Sequence, residues 1–259
     1  MLLAADIGNT DIVFGVYDKG EPVYVWRTPS LSGQPAYHYQ GYLQLQMLEA
    51  GIPAGSFDTT VISSVVPGLT VVISDVVENL LSIKPILVGA DTYPELRLEI
   101  DYPYELGSDL IANAVAAYTR LGRNCVIVDF GTALTFTAVT GDGRVLGVAI
   151  VPGLMTAVRA LFTNTAQLPE VPLVLPEAAI GKNTMHSIQS GILIGYEGLV
   201  RNLLKRFKNE LGEDSVAIAT GGLSSIIHSL GEEFVEVDPG LTLDGLRIIG
   251  EFIRKRQDS

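Results

Sequence analysis

The chain has 259 residues, 47% of them hydrophobic and 18% charged, enough for a sizeable core in one large domain or two ordinary ones and unlike a disordered chain. Its 17 basic and 29 acidic residues leave a net charge of −12, which argues against nucleic acid as a main partner, because backbone phosphates demand a basic surface. A small anionic ligand is compatible with that charge if backbone N–H groups, helix N-termini, a few placed cations and bound metal hold it.

Taken from the start, Leu2-Leu3-Ala4-Ala5 reads as a buried strand. It runs into Asp6-Ile7-Gly8-Asn9-Thr10, and Ile12 to Tyr17 reads as the return strand. No basic leader precedes Asp6, so no signal peptide is expected. Pro22 to Arg27 alternates like a third strand, and Tyr37 to Ala50 reads as a helix stopped by Gly51-Ile52-Pro53. Thr59 to Val66 is rich in β-branched residues, and Pro67-Gly68 leads to a helix from about Leu69 to Leu81. Short strands are expected at Ile86–Val88 and Leu96–Ile100. The segment Asp101 to Asp109 then opens an Ala-rich helix, Leu110 to Leu121, closed by Gly122, and the domain boundary is placed there.

Directly afterwards the opening pattern returns. Cys125-Val126-Ile127-Val128 runs into Asp129-Phe130-Gly131-Thr132-Ala133, with a return strand from Leu134 to Val139. The lone Cys125 excludes an intramolecular disulfide framework and suits a reducing cytosol, so a cytoplasmic protein is expected. Arg144 to Val151 gives a third strand, Leu154 to Phe162 a helix, and Gly181-Lys182-Asn183-Thr184 opens a long helix ending near Glu210. Val216 to Ala219 is a buried strand, and Thr220-Gly221-Gly222 reads as a turn into a further helix. Phe234 to Val237 is strand-like, and Thr242 to Arg256 closes the chain as a helix. No stretch of about 18 uncharged apolar residues occurs, so no membrane-spanning helix is expected.

An Asp-x-Gly turn between apolar strands is a common hairpin, and a carboxylate in one can be an Asx-turn cap. Two matched copies suggest a duplicated domain holding one phosphate chain from both sides. Asp6 would sit by a Mg²⁺ through water, because that ion sheds its hydration shell reluctantly. Gly8, Asn9 and Thr10 would contact phosphate oxygens in one copy and Thr132 and Thr135 in the other, with Asp129 holding a second cation. Gly221 and Gly222 would let an adenine or ribose lie against the backbone. Asp109, early in its helix, is either a favoured first-turn carboxylate or a base for an alcohol. The histidines His38, His186 and His228 have no metal-ligand spacing.

These landmarks resemble the sugar kinase, Hsp70 and actin superfamily, and more narrowly the type III pantothenate kinases. They are Asp6-Ile7-Gly8-Asn9-Thr10, Ile62-Ser63-Ser64-Val65-Val66-Pro67, Glu105-Leu106-Gly107-Ser108-Asp109, Asp129 to Thr135 and Ile150-Val151-Pro152-Gly153, followed by Gly181 to Thr184, Thr220-Gly221-Gly222 and Asp238 to Leu246. The resemblance implies an α/β fold of two duplicated ribonuclease-H-like domains, 1–121 and 122–259, with an interdomain cleft for ATP. It implies phosphorylation of pantothenate in the first step of coenzyme A synthesis, with Asp109 as catalytic base. Ile100, Gly107, Ser108, Asp109, Leu110 and Thr184 then become substrate-binding positions, Thr184 reaching across a homodimer interface. Asp129 becomes a ligand of a monovalent cation, potassium or ammonium. Two positions depart from the family pattern: Leu110 stands where an Arg follows the Gly-x-Asp, and Ile100 replaces an aromatic residue. A related kinase with another acceptor, or a catalytically silent nucleotide-binding regulator, therefore stands beside pantothenate phosphorylation.

Overall fold

The structure, a computed structural model, describes residues 1–257. Its contacts divide the chain into two compact units: residues 1–116 together with the segment from Leu241 onward, and residues 117–240.

In the first unit, β1 (Leu2–Ile7), β2 (Asp11–Asp18) and β3 (Glu21–Pro29) form an antiparallel meander. β4 (Thr59–Ser64) joins β1 in parallel, and the short β5 (Ile86–Leu87) joins β4 in the same sense. The strand order is β3-β2-β1-β4-β5. A two-residue strand, β6 (Arg97–Leu98), follows. Period-2 alternation decides which side chains meet. Leu3, Ala5 and Ile7 point into a core with Phe14, Ile62, Tyr39 and Leu43 of α1 (Ala36–Glu49), and Leu69, Ile73 and Val77 of α2 (Pro67–Leu81). The opposite face is covered by α6 (Leu241–Gln257), where a Cβ on Gly250 would lie only 2.6 Å from Val61 and 2.8 Å from Leu2. Asp6 and Ser63, partners in register, continue that same face at the carboxyl ends of β1 and β4.

The helix α3 (Ser108–Leu121) begins in this unit. It crosses α6 so closely that a Cβ on Gly245 would overlap the Ala112 carbonyl oxygen. Thr242 Oγ1 donates to the buried Asn113 Oδ1 at 2.8 Å beside that crossing. Ala112, Ala114, Ala116 and Ala117 have no exposed surface within the single chain. Those four alanines are therefore internal packing.

The second unit repeats the plan. β7 (Cys125–Phe130), β8 (Ala133–Val139) and β9 (Arg144–Pro152) form an antiparallel meander. β10 (Val216–Thr220) joins β7 in parallel and β11 (Glu236–Val237) joins β10. The order β9-β8-β7-β10-β11 is that of the first sheet. Val126, Val128, Phe130, Leu134 and Phe136 pack with Leu193, Val200 and Leu204 of α5 (Thr184–Leu211), while α4 (Leu154–Asn164) follows β9. The side chains of Asp129, Thr135 and Thr220 lie on the face away from that core.

Two expectations are corrected. The closing helix α6 packs on β1, β2 and β4, so the compact units do not follow a single cut after residue 121. After Gly221-Gly222 no α-helix forms; turns lead to a 3₁₀ segment, His228–Glu233. Ser224 and Ser225 compete for backbone bonds, Ile226 and Ile227 are β-branched, and Gly231 interrupts the run, so no stretch of good helix formers is long enough. Among the described residues no helix is long and apolar enough to cross a membrane.

Candidate active site

Both Asp-x-Gly turns are hairpins, and their glycines lie close to the backbone of the turn. Neither Gly8 nor Gly131 adopts a positive φ. Each N–H closes its own loop: Gly8 N–H donates to Asp11 O at 3.0 Å and Gly131 N–H to Ala133 O at 3.1 Å. A Cβ would sit 3.2 Å from Asp11 O or 3.3 Å from Ala133 O. These glycines thus permit a tight fold, and neither N–H is left over for phosphate. In the first turn Asn9 and Thr10 are the exposed residues. The loop is braced by Ser30, whose Oγ donates to Gly8 O at 2.6 Å and whose N–H donates to Thr10 O at 2.8 Å.

Asp109 reaches the same corner of the first unit through hydrogen bonds. Ser108 Oγ lies 3.0 Å from Ser63 Oγ, accepts the Ser64 N–H at 2.9 Å and donates to Ser64 O at 3.1 Å. Val65 N–H donates to Ile7 O at 3.1 Å, extending the β1–β4 ladder past Ser64. The start of α3 is thereby fastened where β1 gives way to the Asp6–Thr10 turn. Asp109 Oδ1 accepts the Leu110 N–H at 2.9 Å. The carboxylate folds back over Gly107, where any Cβ would strike Asp109 Oδ1. Burial raises the Asp109 proton affinity above the ordinary aspartate value, and the backbone N–H bonds only partly oppose it. The side chain of Leu110 is buried, and Ile100 is half-buried in the preceding loop.

In the second unit, Asp129 is the centre. Gly221 has φ +90°, and a Cβ there would lie 2.5 Å from Asp129 Oδ1 and 2.7 Å from Phe130 N. Only glycine allows β10 to end so close to the carboxylate. Asp129 stands in register with Thr135 on β8 and Thr220 on β10, so the three side chains share one face. Both threonine hydroxyls are buried and have no hydrogen-bond partner among the described residues. The exposed Thr132 is held by its carbonyl, which accepts Gly153 N–H at 3.0 Å and Thr156 Oγ1 at 2.7 Å. A Cβ on Gly153 would overlap Gly131 O and lie 2.5 Å from Thr132 O. The turn is thus pressed against the N-terminus of α4, which favours an anion.

The sequence-derived residues form two groups: Asp6, Gly8, Asn9, Thr10, Gly107, Ser108 and Asp109 in the first unit, and Asp129, Thr132, Thr135, Gly221 and Gly222 in the second. Thr184 is the exposed first residue of α5, capped by Asn183 Oδ1, which accepts His186 N–H at 2.9 Å. Sequence reading missed Ser63, Gly153, Thr156 and Thr220. A hydroxyl residue ending a strand, and Pro152-Gly153 ahead of a helix, are the signals that mark them. Among the described residues no three His, Cys, Asp or Glu side chains gather as a metal centre. A divalent ion here would rely on one or two carboxylates and the substrate's own phosphates, as Mg²⁺ sites commonly do.

The family model for type III pantothenate kinase matches residues 2–206. A type III pantothenate kinase from Roseiflexus sp. (strain RS-1) is 42% identical over 254 residues, covering 98% of this chain and 100% of that one. Among solved structures, a Campylobacter jejuni protein described as a Baf family transcriptional activator superposes with a TM-score of 0.60 at 20% identity, over 99% of this chain and 100% of that chain. The (R)-2-hydroxyglutaryl-CoA dehydratase component A from Acidaminococcus fermentans gives 0.54 at 12% identity, over 100% of this chain and 99% of that one. At those identities the structures speak for the fold alone, that of the actin-like ATPases and sugar kinases. The match at 42% runs from end to end and carries more than a shared fold, so the chain belongs to the type III pantothenate kinase family.

Proposed function

We propose that the protein transfers the γ-phosphoryl group of ATP to pantothenate, giving 4'-phosphopantothenate for coenzyme A synthesis, with Asp109 as base. The observation that carries this reading is the bonding of Ser108 to Ser63 and Ser64. It sets a carboxylate of raised proton affinity at the end of the sheet where the first phosphate turn begins. Asp109 takes the proton of the pantothenate hydroxyl as its oxygen bonds to the γ-phosphorus, and the bond to the bridging oxygen breaks to release ADP. Asn9 and Thr10 of the first turn, and Thr132 beside the α4 N-terminus, orient the phosphates. Asp6 would hold Mg²⁺ through water; when bound, that ion neutralises charge on the phosphates. At the Gly221-Gly222 turn, proposed for the adenosine side, Gly222 has open space around its backbone.

Asp129 fits a monovalent cation, K⁺ or NH₄⁺, because two buried and unsatisfied hydroxyls flank it in register. Neighbouring strands lie about 4.8 Å apart, so Thr135 and Thr220 bring oxygen donors to either side of the carboxylate. Thr220→Val should raise the melting temperature measured without K⁺, since an unsatisfied buried hydroxyl is removed. The same change should erase the further rise that K⁺ gives the wild type. A K⁺ shift of wild-type size in the variant would remove Thr220 from the site.

The protein is expected to act in the cytoplasm as a homodimer, with Thr184 contacting pantothenate across the interface. Ile180 and Met185 flank Thr184 with 83% and 43% of their surfaces exposed, which supports an apolar contact there.

The test is ADP release with Mg²⁺, K⁺ and ATP, in the presence of pantothenate and of other small hydroxylated acids. Pantothenate should give the fastest release. ATP binding with no pantothenate-dependent ADP would overturn the assignment, and faster release with another acid would replace the acceptor, a result the buried Leu110 would explain.

A further inference from the structure

The hydroxyl of Ser108 has one proton and two acceptor lone pairs. All three are used when Ser108 Oγ donates to Ser64 O at 3.1 Å, accepts Ser64 N–H at 2.9 Å and accepts the Ser63 hydroxyl at 3.0 Å. Ser63 has no exposed surface and Ser108 only 7%. A hydroxyl so occupied has nothing left for a substrate. It joins two segments separated by 45 residues of chain.

The bond ties the start of α3 to the end of β4. Ser63 is the register partner of Asp6, so the latch joins the strand beside the phosphate turn to the residue preceding Asp109. Ser64 is held in turn: Thr70 Oγ1 donates to Ser64 Oγ at 2.7 Å, and Val66 N–H donates to it at 3.2 Å. The end of β4, the start of α2 and the start of α3 thus form one connected polar corner. We propose that the Ser63–Ser108 hydroxyl pair is a positioning latch, holding Asp109 at the reacting hydroxyl, and that Ser108 acts through Asp109 instead of touching pantothenate. This inference rests on Asp109 being the base.

The experiment is a double-mutant cycle in the full-length protein: Ser63→Ala, Ser108→Ala and the double variant, with Asp109→Asn in parallel. kcat, KM for pantothenate and the ATP dissociation constant are measured for each. Loss of the latch should lower kcat about ten- to a hundredfold, the scale of a misplaced catalytic group, with KM and ATP affinity nearly unchanged. The double variant should be no slower than the slower single one, because one device is removed twice. Ser63→Thr, which keeps the hydroxyl, should recover most of the kcat lost in Ser63→Ala. If Ser108→Ala does not fold, Ser63→Ala still tests the latch, since both bonds between Ser108 and Ser64 survive it. A raised KM with unchanged kcat would make Ser108 a substrate contact and overturn the proposal, as would additive losses or an unchanged kcat. If the serine variants are normal while Asp109→Asn is inactive, only the latch fails. Full turnover in Asp109→Asn would sink the base assignment together with the latch.

Discussion

Asp109→Asn should all but abolish phosphorylation of pantothenate while leaving ATP binding intact. General-base catalysis is commonly worth about a hundred- to ten-thousandfold, so turnover should fall by that factor. The Asn side chain keeps an oxygen able to accept the Leu110 N–H, so the start of α3 is preserved. The same variant should be the more stable protein at neutral pH. Burial raises the carboxyl's pKa in the folded chain above its unfolded value. The native state therefore binds this proton more tightly, and the group's contribution to stability declines as pH rises from the ordinary aspartate value through the raised one. Above that window the ionised carboxylate is a burden that Asn lacks. In the wild type, kcat/KM for pantothenate should fall on the acid side as Asp109 protonates, with a midpoint above the ordinary aspartate value. A variant that loses turnover and ATP binding together would show that Asp109 is structural.

Gly221→Ala should be the most damaging single methyl in the second unit. The new Cβ would lie 2.5 Å from Asp129 Oδ1 and 2.7 Å from the Phe130 backbone, at φ +90°. Left-handed strain of about 1–2 kcal/mol and overpacking of about 1–3 kcal/mol have no flexible neighbour to absorb them. Together they should remove about 2–5 kcal/mol of stability, read as a lower denaturation midpoint. Any protein that folds should lose its response to K⁺, because Asp129 is displaced. Gly222→Ala, one residue along, has no atom within 4 Å of its added Cβ and is the control. Equal stability of the two variants would contradict this account of the Asp129 corner.

Much of the fold is legible in the sequence because local pattern and long-range packing agree. Apolar runs mark β1, β2, β7 and β8, which are buried at most of their positions, and Asn183 marks the start of α5 by an ordinary cap. The strand order follows from the repeated hairpin, and β1 and β4 pair in parallel in one sheet as β7 and β10 do in the other. What was hidden depends on contacts that spacing cannot reveal. The membership of α6 in the first unit is decided by Gly245 and Gly250, which allow the helix to settle on Ala112 and on Val61. Asp109 is readable as a helix-start carboxylate, but its tie to the strand beside the Asp6–Thr10 turn runs through Ser63 and Ser108, far apart in sequence. Thr220 looks like an ordinary strand end until its register with Asp129 is known. The segment after Gly222 was misread because a β-strand followed by Gly-Gly commonly opens a helix, and here the following serines and isoleucines do not sustain one.

Each hairpin turn is proposed to contact ATP through its exposed polar residues, Asn9 in the first and Thr132 in the second. Calorimetric titration of ATP into the wild type, Asn9→Ala and Thr132→Ala tests this directly, because both positions are exposed and neither substitution disturbs a core. Each variant should lose about tenfold or more in affinity, the scale of one charge-assisted hydrogen bond. A turn whose variant binds ATP as tightly as the wild type would contradict it.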